Sequence, residues 1–340
     1  MTSSASEKSC RRRKSLLLAL AFFIGAIVQT GCVTTGKPGA KAATPDLPKE
    51  SSFVRSEVAI PGTERTYPMW RTRSGGRPVL LLHPINGLSG DFLRFALELE
   101  SWGYRVYFPS LYGDPIKGEP AFGYDEELGS IKLLRESDTW NPVSPESTGP
   151  IVDDVRTMAR WVSGQEGGHS LIVVGNSLTG TFPLALLDEP CVKTAVLGQP
   201  ALPAMRVPQV ILRIPQSMEK RRALTLTDAQ WNSIAVSLRK NPDKRIIGFH
   251  YREDPIAPIE RFDSLHDRLE AEGLADRFKA YVLSPDGEAY AAERRAWVVG
   301  SDTVERRKMV TPHSTYLDAE NLEDREWFRG HLQRALTMAH

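Results

Sequence analysis

The chain has 340 residues, 41% of them hydrophobic and 25% charged, with a formal net charge of +1. That balance is globular and leaves room for one large core or two modest ones, and it gives no sign of a basic nucleic-acid binder or an acidic tail. Small neutral or weakly charged substrates stay open.

At the N-terminus, Lys8, Arg11, Arg12, Arg13 and Lys14 precede an uncharged apolar run from Ser15 to Val28. This is the layout of a signal peptide. As a helix the run would rise about 21 Å against a hydrocarbon core of about 30 Å, so a cleaved export signal is expected before a stable anchor. The stretch "VQTGC" that follows ends in Gly31 and Cys32 and resembles the lipobox of bacterial lipoproteins. The resemblance implies a signal peptide over residues 1–31, lipidation of Cys32 and a membrane partner reached through that lipid. Val33 rather than aspartate comes next, which by the same logic implies the outer membrane of a Gram-negative cell, facing the periplasm. A soluble periplasmic or secreted form stays open. Of the three cysteines, Cys10 would be removed and Cys32 acylated, so Cys191 has no partner and no disulfide or cysteine metal site is expected.

Residues 32–52 are rich in Thr, Gly, Lys, Ala and Pro and read as a flexible tether, with one folded domain over 53–340. Within it, "FVRSEVAIP" and "RTYPMWRTR" around "GTE" read as an antiparallel hairpin at a sheet edge. Buried strands are expected at 78–85, 105–112, 170–177, 194–202, 245–252 and 278–284. Phe92, Phe95, Ala96, Leu99 and Trp102 recur at helical spacing, as do Ile259, Phe262, Leu265 and Leu269, and later Phe328, Leu332 and Leu336. The alternation predicts an α/β fold: a mostly parallel sheet with helices on both faces and chemistry at the carboxyl ends of its strands. Residues 204–240 and 285–310 read as insertions, the first a lid over the site or an edge decoration.

Three serines, Ser89, Ser170 and Ser177, have glycine two places before them. Ser170 begins its strand, and Ser89 lies well past one and suits the cap of a helix starting near Asp91. Ser177 alone ends a strand, "LIVV", and precedes an apolar helix, "TFPLALL", as a nucleophile elbow requires. Thr179 stands where the G-x-S-x-G pattern has its second glycine, with Gly180 one place later. A serine hydroxyl needs a base, and the base needs an acid to hold its tautomer. Asp254 in "REDPIAP" follows the strand at 245–252, either as that acid or as a helix cap, with Asp302 as the fallback acid. Of seven histidines, His313 in "VTPHSTYLD" lies in a late loop before the last helix; His169, His250, His266, His331 and His340 suit structural or solvated roles, and His83 ends the first central strand, upstream of the serine. The order Ser177, Asp254, His313 is that of an α/β-hydrolase triad. The backbone N–H groups of Leu178 and Ile85 are the expected oxyanion donors, since Pro84 has none.

The segment "PVLLLHPINGLSGDFLRFALELESWGYRVYFPSLYGDP", together with "GNSLTG" and "REDPIAP", resembles the dienelactone hydrolase-like branch of the α/β-hydrolases. The resemblance implies the α/β-hydrolase fold and a serine hydrolase, chiefly a carboxylic ester hydrolase working through an acyl-enzyme. It implies a small-molecule ester as substrate, with no metal or organic cofactor, no nucleic acid and no obligate protein partner. Serine replaces the family's cysteine and Pro84 stands in place of an acidic residue, so the general chemistry carries over and the dienelactone substrate does not. A peptidase or acyltransferase using the same triad, and a non-catalytic envelope-binding lipoprotein on this fold, are the alternatives.

Overall fold

Nine short, mostly apolar runs pair into one sheet: β1 (Phe53–Ala59), β2 (Thr66–Thr72), β3 (Pro78–Leu82), β4 (Arg105–Pro109), β5 (Leu171–Asn176), β6 (Val192–Gly198), β7 (Arg245–Tyr251), β8 (Phe278–Ser284) and β9 (Val298–Asp302). The structure is a computed structural model and describes residues 48–112, 134, 137–204, 216–254, 256–294, 297–302, 313, 315–317 and 322–338. The spatial order is β1-β2-β4-β3-β5-β6-β7-β8-β9. β2 runs antiparallel to β1 and β4, while all other pairs are parallel. The hairpin expected at one edge is therefore present. Every residue of β3 and β5 is buried, as strands covered on both faces demand, whereas the edge strand β1 exposes alternate positions.

Among the described residues the helices are α1 (Gly90–Ser101), α2 (Ile151–Gln165), α3 (Phe182–Ala185), α4 (Met218–Arg222), α5 (Asp228–Lys240), α6 (Glu260–Ala271), α7 (Gly287–Glu293) and α8 (Leu322–Met338). They cover the sheet from both sides. On one face Leu80, Leu82 and Val173 pack with Val155 and Met158 of α2, Ile234 of α5 and Leu265 of α6. On the other, Val79, Leu81 and Val174 pack with Phe92 and Phe95 of α1 and Phe328 and Leu332 of α8. The alternation along each strand sends successive side chains into different cores. A mostly parallel sheet whose second strand is antiparallel, with the β3/β4 exchange and a sharp serine turn after β5, is a specific topology. It is the α/β-hydrolase fold.

Three elements depart from the sequence expectations. α2 was not anticipated, although Ile151, Val155, Met158 and Val162 have helical spacing; its buried Asp154 receives Arg65 Nε and Nη2 at 2.8 and 2.7 Å and the Tyr67 hydroxyl at 2.7 Å, tying the edge hairpin to the core. Residues 285–310, read as an insertion, supply α7 and β9, which extends the sheet beyond β8. β9 carries Gly300 where α7 presses on it: a Cβ there would lie 2.0 Å from the Gly287 carbonyl oxygen. Within 204–240, α5 buries Trp231, Ile234 and Leu238 in the core, and Ser237 Oγ donates to the Leu187 carbonyl at 2.8 Å. That half of the stretch is the crossover between β6 and β7, and residues 205–215 lie outside the described residues.

The export signal, Cys32 and most of the tether also fall outside the described residues. No helix among those described is long and apolar enough to cross a membrane.

Candidate active site

The parallel register brings the ends of β3, β5, β6 and β7 to one edge, with Leu82 beside Gly175, Asn176 beside Gly198 and Gly198 beside Phe249. Ser177 and Gln199 follow their strands directly, and Ile85 and Asp254 come three residues after theirs, so all four gather where α/β sheets place their chemistry. Ser177 has φ +54°, a left-handed conformation that a non-glycine residue rarely holds without compensation. Here its carbonyl accepts from both Gly180 N–H and Ala201 N–H at 2.9 Å. The turn is also crowded. A Cβ on Gly175 would lie 2.2 Å from the Thr179 carbonyl oxygen, and one on Gly180 would lie 2.7 Å from both the Gly198 carbonyl oxygen and Pro200 Cα.

That crowding explains why the motif's second glycine is at 180. Thr179 is free to carry a side chain, and its hydroxyl accepts from Asn176 N–H at 3.2 Å and lies 3.2 to 3.3 Å from the carbonyl oxygens of Leu82, His83 and Asn176. It cross-links the loops after β3 and β5. The apolar helix expected after the serine is instead a 3₁₀ turn, Ser177–Thr179, followed by the four-residue α3 with Pro183 in its first turn.

Ser177 Oγ stands 2.7 Å from His313 Nε2, and His313 Nδ1 stands 2.6 Å from Asp254 Oδ2. The three sequence-predicted residues thus meet, although 136 positions separate the serine from the histidine. Asp254 is buried. Its Oδ1 accepts from Ile256 N–H at 2.7 Å and Ala257 N–H at 3.0 Å, and its Oδ2 accepts from Gln199 Nε2 as well as from His313. Burial alone would raise its pKa, but the His313 charge and hydrogen bond, with His250 and the Ala257 N–H, hold it below the usual carboxylate range. α6 begins later, with Ile259 as its N-cap and no side-chain bond there, so Asp254 is not a helix cap: its Oδ1 holds the turn at Ile256 and Ala257, and its Oδ2 faces the His313 ring. Asp302 is exposed at the end of β9 and accepts from Glu288 N–H at 2.8 Å, so its carboxylate serves α7.

Leu178 is buried in the turn behind Ser177, and Ile85 lies in the loop after β3. His83 fixes that loop. Its Nε2 accepts from Leu111 N–H at 2.9 Å, which makes Nδ1 the protonated nitrogen, and Nδ1 donates to the Pro84 carbonyl at 2.7 Å. Gly87 N–H donates to the same carbonyl at 3.1 Å. With the Pro84 carbonyl held on one side of a planar trans peptide, the Ile85 N–H must point to the other. The Tyr112 hydroxyl fastens the next peptide by donating to the Ile85 carbonyl at 2.7 Å. Burial lowers the His83 pKa to about 4, so the ring is a neutral tie.

Of the other histidines, His250 is buried in β7, with burial again lowering its pKa to about 4. His266 stacks on Trp297, and His331 packs between Tyr281 and Trp327. His169 is exposed, and His340 lies outside the described residues. Ser89 caps α1, accepting from Phe92 N–H, and Cys191 is a free, half-buried thiol. His266, Asp267 and Glu270 on α6 have ligand atoms close enough together for a metal ion, but the acidic pair is exposed and such groups are common without one.

Sequence reading missed three buried groups. Gln199 joins the acid to the histidine loop, its Oε1 accepting from Thr315 N–H at 2.9 Å. Arg261 reaches from α6 to the carbonyls of Pro200 and, at 2.9 Å, Pro203, and burial lowers its pKa to about 9. The Tyr316 hydroxyl donates to the Gly175 carbonyl at 2.7 Å while its ring stacks on Phe95, pinning the histidine loop to the second core. The one signal available for Gln199 was its place directly after a buried strand.

No protein-family model matches the chain, and no curated protein sequence does. Solved structures with a similar fold include an esterase from Pyrococcus furiosus (14% identity, 90% of this chain and 97% of that one, TM-score 0.48). A dienelactone hydrolase-like promiscuous phosphotriesterase from metagenomic libraries is similar at 10% identity over 85% of this chain and 99% of that one, TM-score 0.47. So is a carboxylesterase from Lactobacillus plantarum, at 10% identity over 84% and 97%, TM-score 0.44. At these identities the likeness concerns the fold.

Proposed function

We propose that this protein is a serine hydrolase that cleaves carboxylic esters through an acyl-enzyme. The observation that carries the reading is the unbroken chain from Ser177 Oγ through His313 to the buried Asp254 carboxylate. His313 Nε2 is placed to take the hydroxyl proton as Ser177 attacks the ester carbonyl, and Asp254 stabilises the imidazolium and holds Nδ1 protonated. The N–H groups of Leu178 and Ile85 receive the negative charge that develops on the carbonyl oxygen. His313 then protonates the leaving alcohol, and a water activated by the same ring releases the acid.

The test is hydrolysis of short-chain nitrophenyl esters by a chain beginning after Cys32. Wild type is expected to turn over and Ser177→Ala to lose the activity; undiminished esterase activity in Ser177→Ala refutes the reading. Activity on peptides or acyl acceptors with none on esters moves the same triad to a peptidase or acyltransferase. On sequence grounds alone, the protein is also proposed to be exported and held on the outer membrane by a lipid on Cys32, a reading that Cys32→Ser tests by its release from the membrane fraction.

A further inference from the structure

We infer that Gln199 is a positioning residue that locks the acid and the base of the site into one unit. The inference rests on the triad reading above. Two independent contacts fix the side-chain amide: Oε1 meets the Thr315 N–H, which can only donate, and Nε2 meets the Asp254 carboxylate, which can only accept. The amide orientation is thereby set by its partners. Through it, the oxygen that receives His313 Nδ1–H is tied to the backbone two residues beyond His313.

The backbone supports this role. Gln199 has φ +39° and is fully buried, with its N–H donating to the Phe249 carbonyl at 2.9 Å. A left-handed glutamine in a buried turn is strained, and a strained, buried polar residue aimed at a triad carboxylate belongs to the site's geometry. Asp254 then accepts four hydrogen bonds, two on each oxygen, which allows it to stay ionised away from water. Remove the amide, and Asp254 loses a donor while the Thr315 N–H loses its acceptor. The carboxylate and the imidazole are then free to drift apart, which costs rate and leaves substrate binding unaltered.

The experiment compares wild type, Gln199→Met, Gln199→Glu and Ser177→Ala by fluorophosphonate labelling rate and by kcat and KM on a short-chain ester, from about pH 5 to about pH 10. Both Gln199 variants keep an unbranched stem at the same backbone angle, so the strain is unchanged. Gln199→Met is expected to lose about tenfold or more in kcat with KM within about twofold. Gln199→Glu reads geometry separately from folding. Contact with the ionised Asp254 strongly raises the pKa of a second carboxyl, so the introduced acid stays protonated at low pH, where it donates to Asp254 as the amide does, and ionises only at higher pH, where the two carboxylates repel. Its activity should fall on the alkaline side, a limb that wild type lacks. A Gln199→Met kcat within twofold of wild type, or a Gln199→Glu profile that tracks wild type, overturns the inference and leaves the triad standing. Labelling of wild type no faster than Ser177→Ala overturns the triad and this inference with it.

Discussion

Acid should destabilise this fold through two buried imidazoles, and one of them can be replaced without disturbing its hydrogen bond. His250 is fully buried in β7, its Nδ1 2.5 Å from the Tyr251 carbonyl oxygen, its ring 5.1 Å from Phe262 and its Nε2 without a hydrogen-bond partner among the described residues. Burial pulls its pKa from 6.5 to about 4, opposed by Asp254 and the Tyr251 carbonyl and assisted by Arg261 and His313. His83 behaves alike. Because the folded values are depressed, the unfolded chain binds more protons below about pH 6.5, and stability falls as pH drops from there towards about 4. Between pH 7 and pH 5 each histidine accounts for about 2 kcal/mol, so the pair removes about 4 from a total of typically 5–15. In His250→Asn the side-chain amide can take the place of Nδ1–H and cannot titrate. Urea unfolding at the two pH values should show the variant losing about 2 kcal/mol less than wild type. Equal losses would refute a neutral, acid-sensitive His250.

Three further substitutions probe the site. Asp254→Asn should lower kcat by about 10³- to 10⁴-fold in the ester assay, because an amide facing Nδ1 favours the wrong tautomer. Gly175→Ala would place a methyl group 2.2 Å from the Thr179 carbonyl oxygen, so a thermal or urea melt should show a loss of about 2 kcal/mol or more. Tyr112→Phe removes the donor to the Ile85 carbonyl; if the Ile85 N–H is an oxyanion donor as proposed, a loss of about 0.5–1.5 kcal/mol from the loosened loop appears as a kcat lowered about 2- to 13-fold at unchanged KM.

Much of the fold was legible because its strands are buried on both faces and therefore appear as continuous apolar runs, such as Val79–Leu82 and Ile172–Val174. β9 was not, since "VVGSD" is short and half-polar, and α7 packs on it through the close approach of Gly287 and Gly300, which no local pattern announces. Ser177, Asp254 and His313, whose side chains meet, could be picked out as candidates because each follows or lies beyond a strand-like run in the order a triad needs. Gln199 and Arg261 escaped notice for a physical reason. Nothing local marks a polar residue for burial; their partners are the Asp254 carboxylate, the Thr315 N–H and two proline carbonyls, assembled only by the tertiary fold. Thr179 looked like a defect in the motif until the packing around Gly180 showed where the small residue is required.

If Ser177 is the nucleophile, as proposed, the site of covalent modification by a serine-directed reagent reveals it. Wild-type protein treated with a fluorophosphonate should gain one adduct, which peptide mapping places on Ser177, and Ser177→Ala should gain none. An adduct on another residue, or labelling undiminished in Ser177→Ala, would contradict the account.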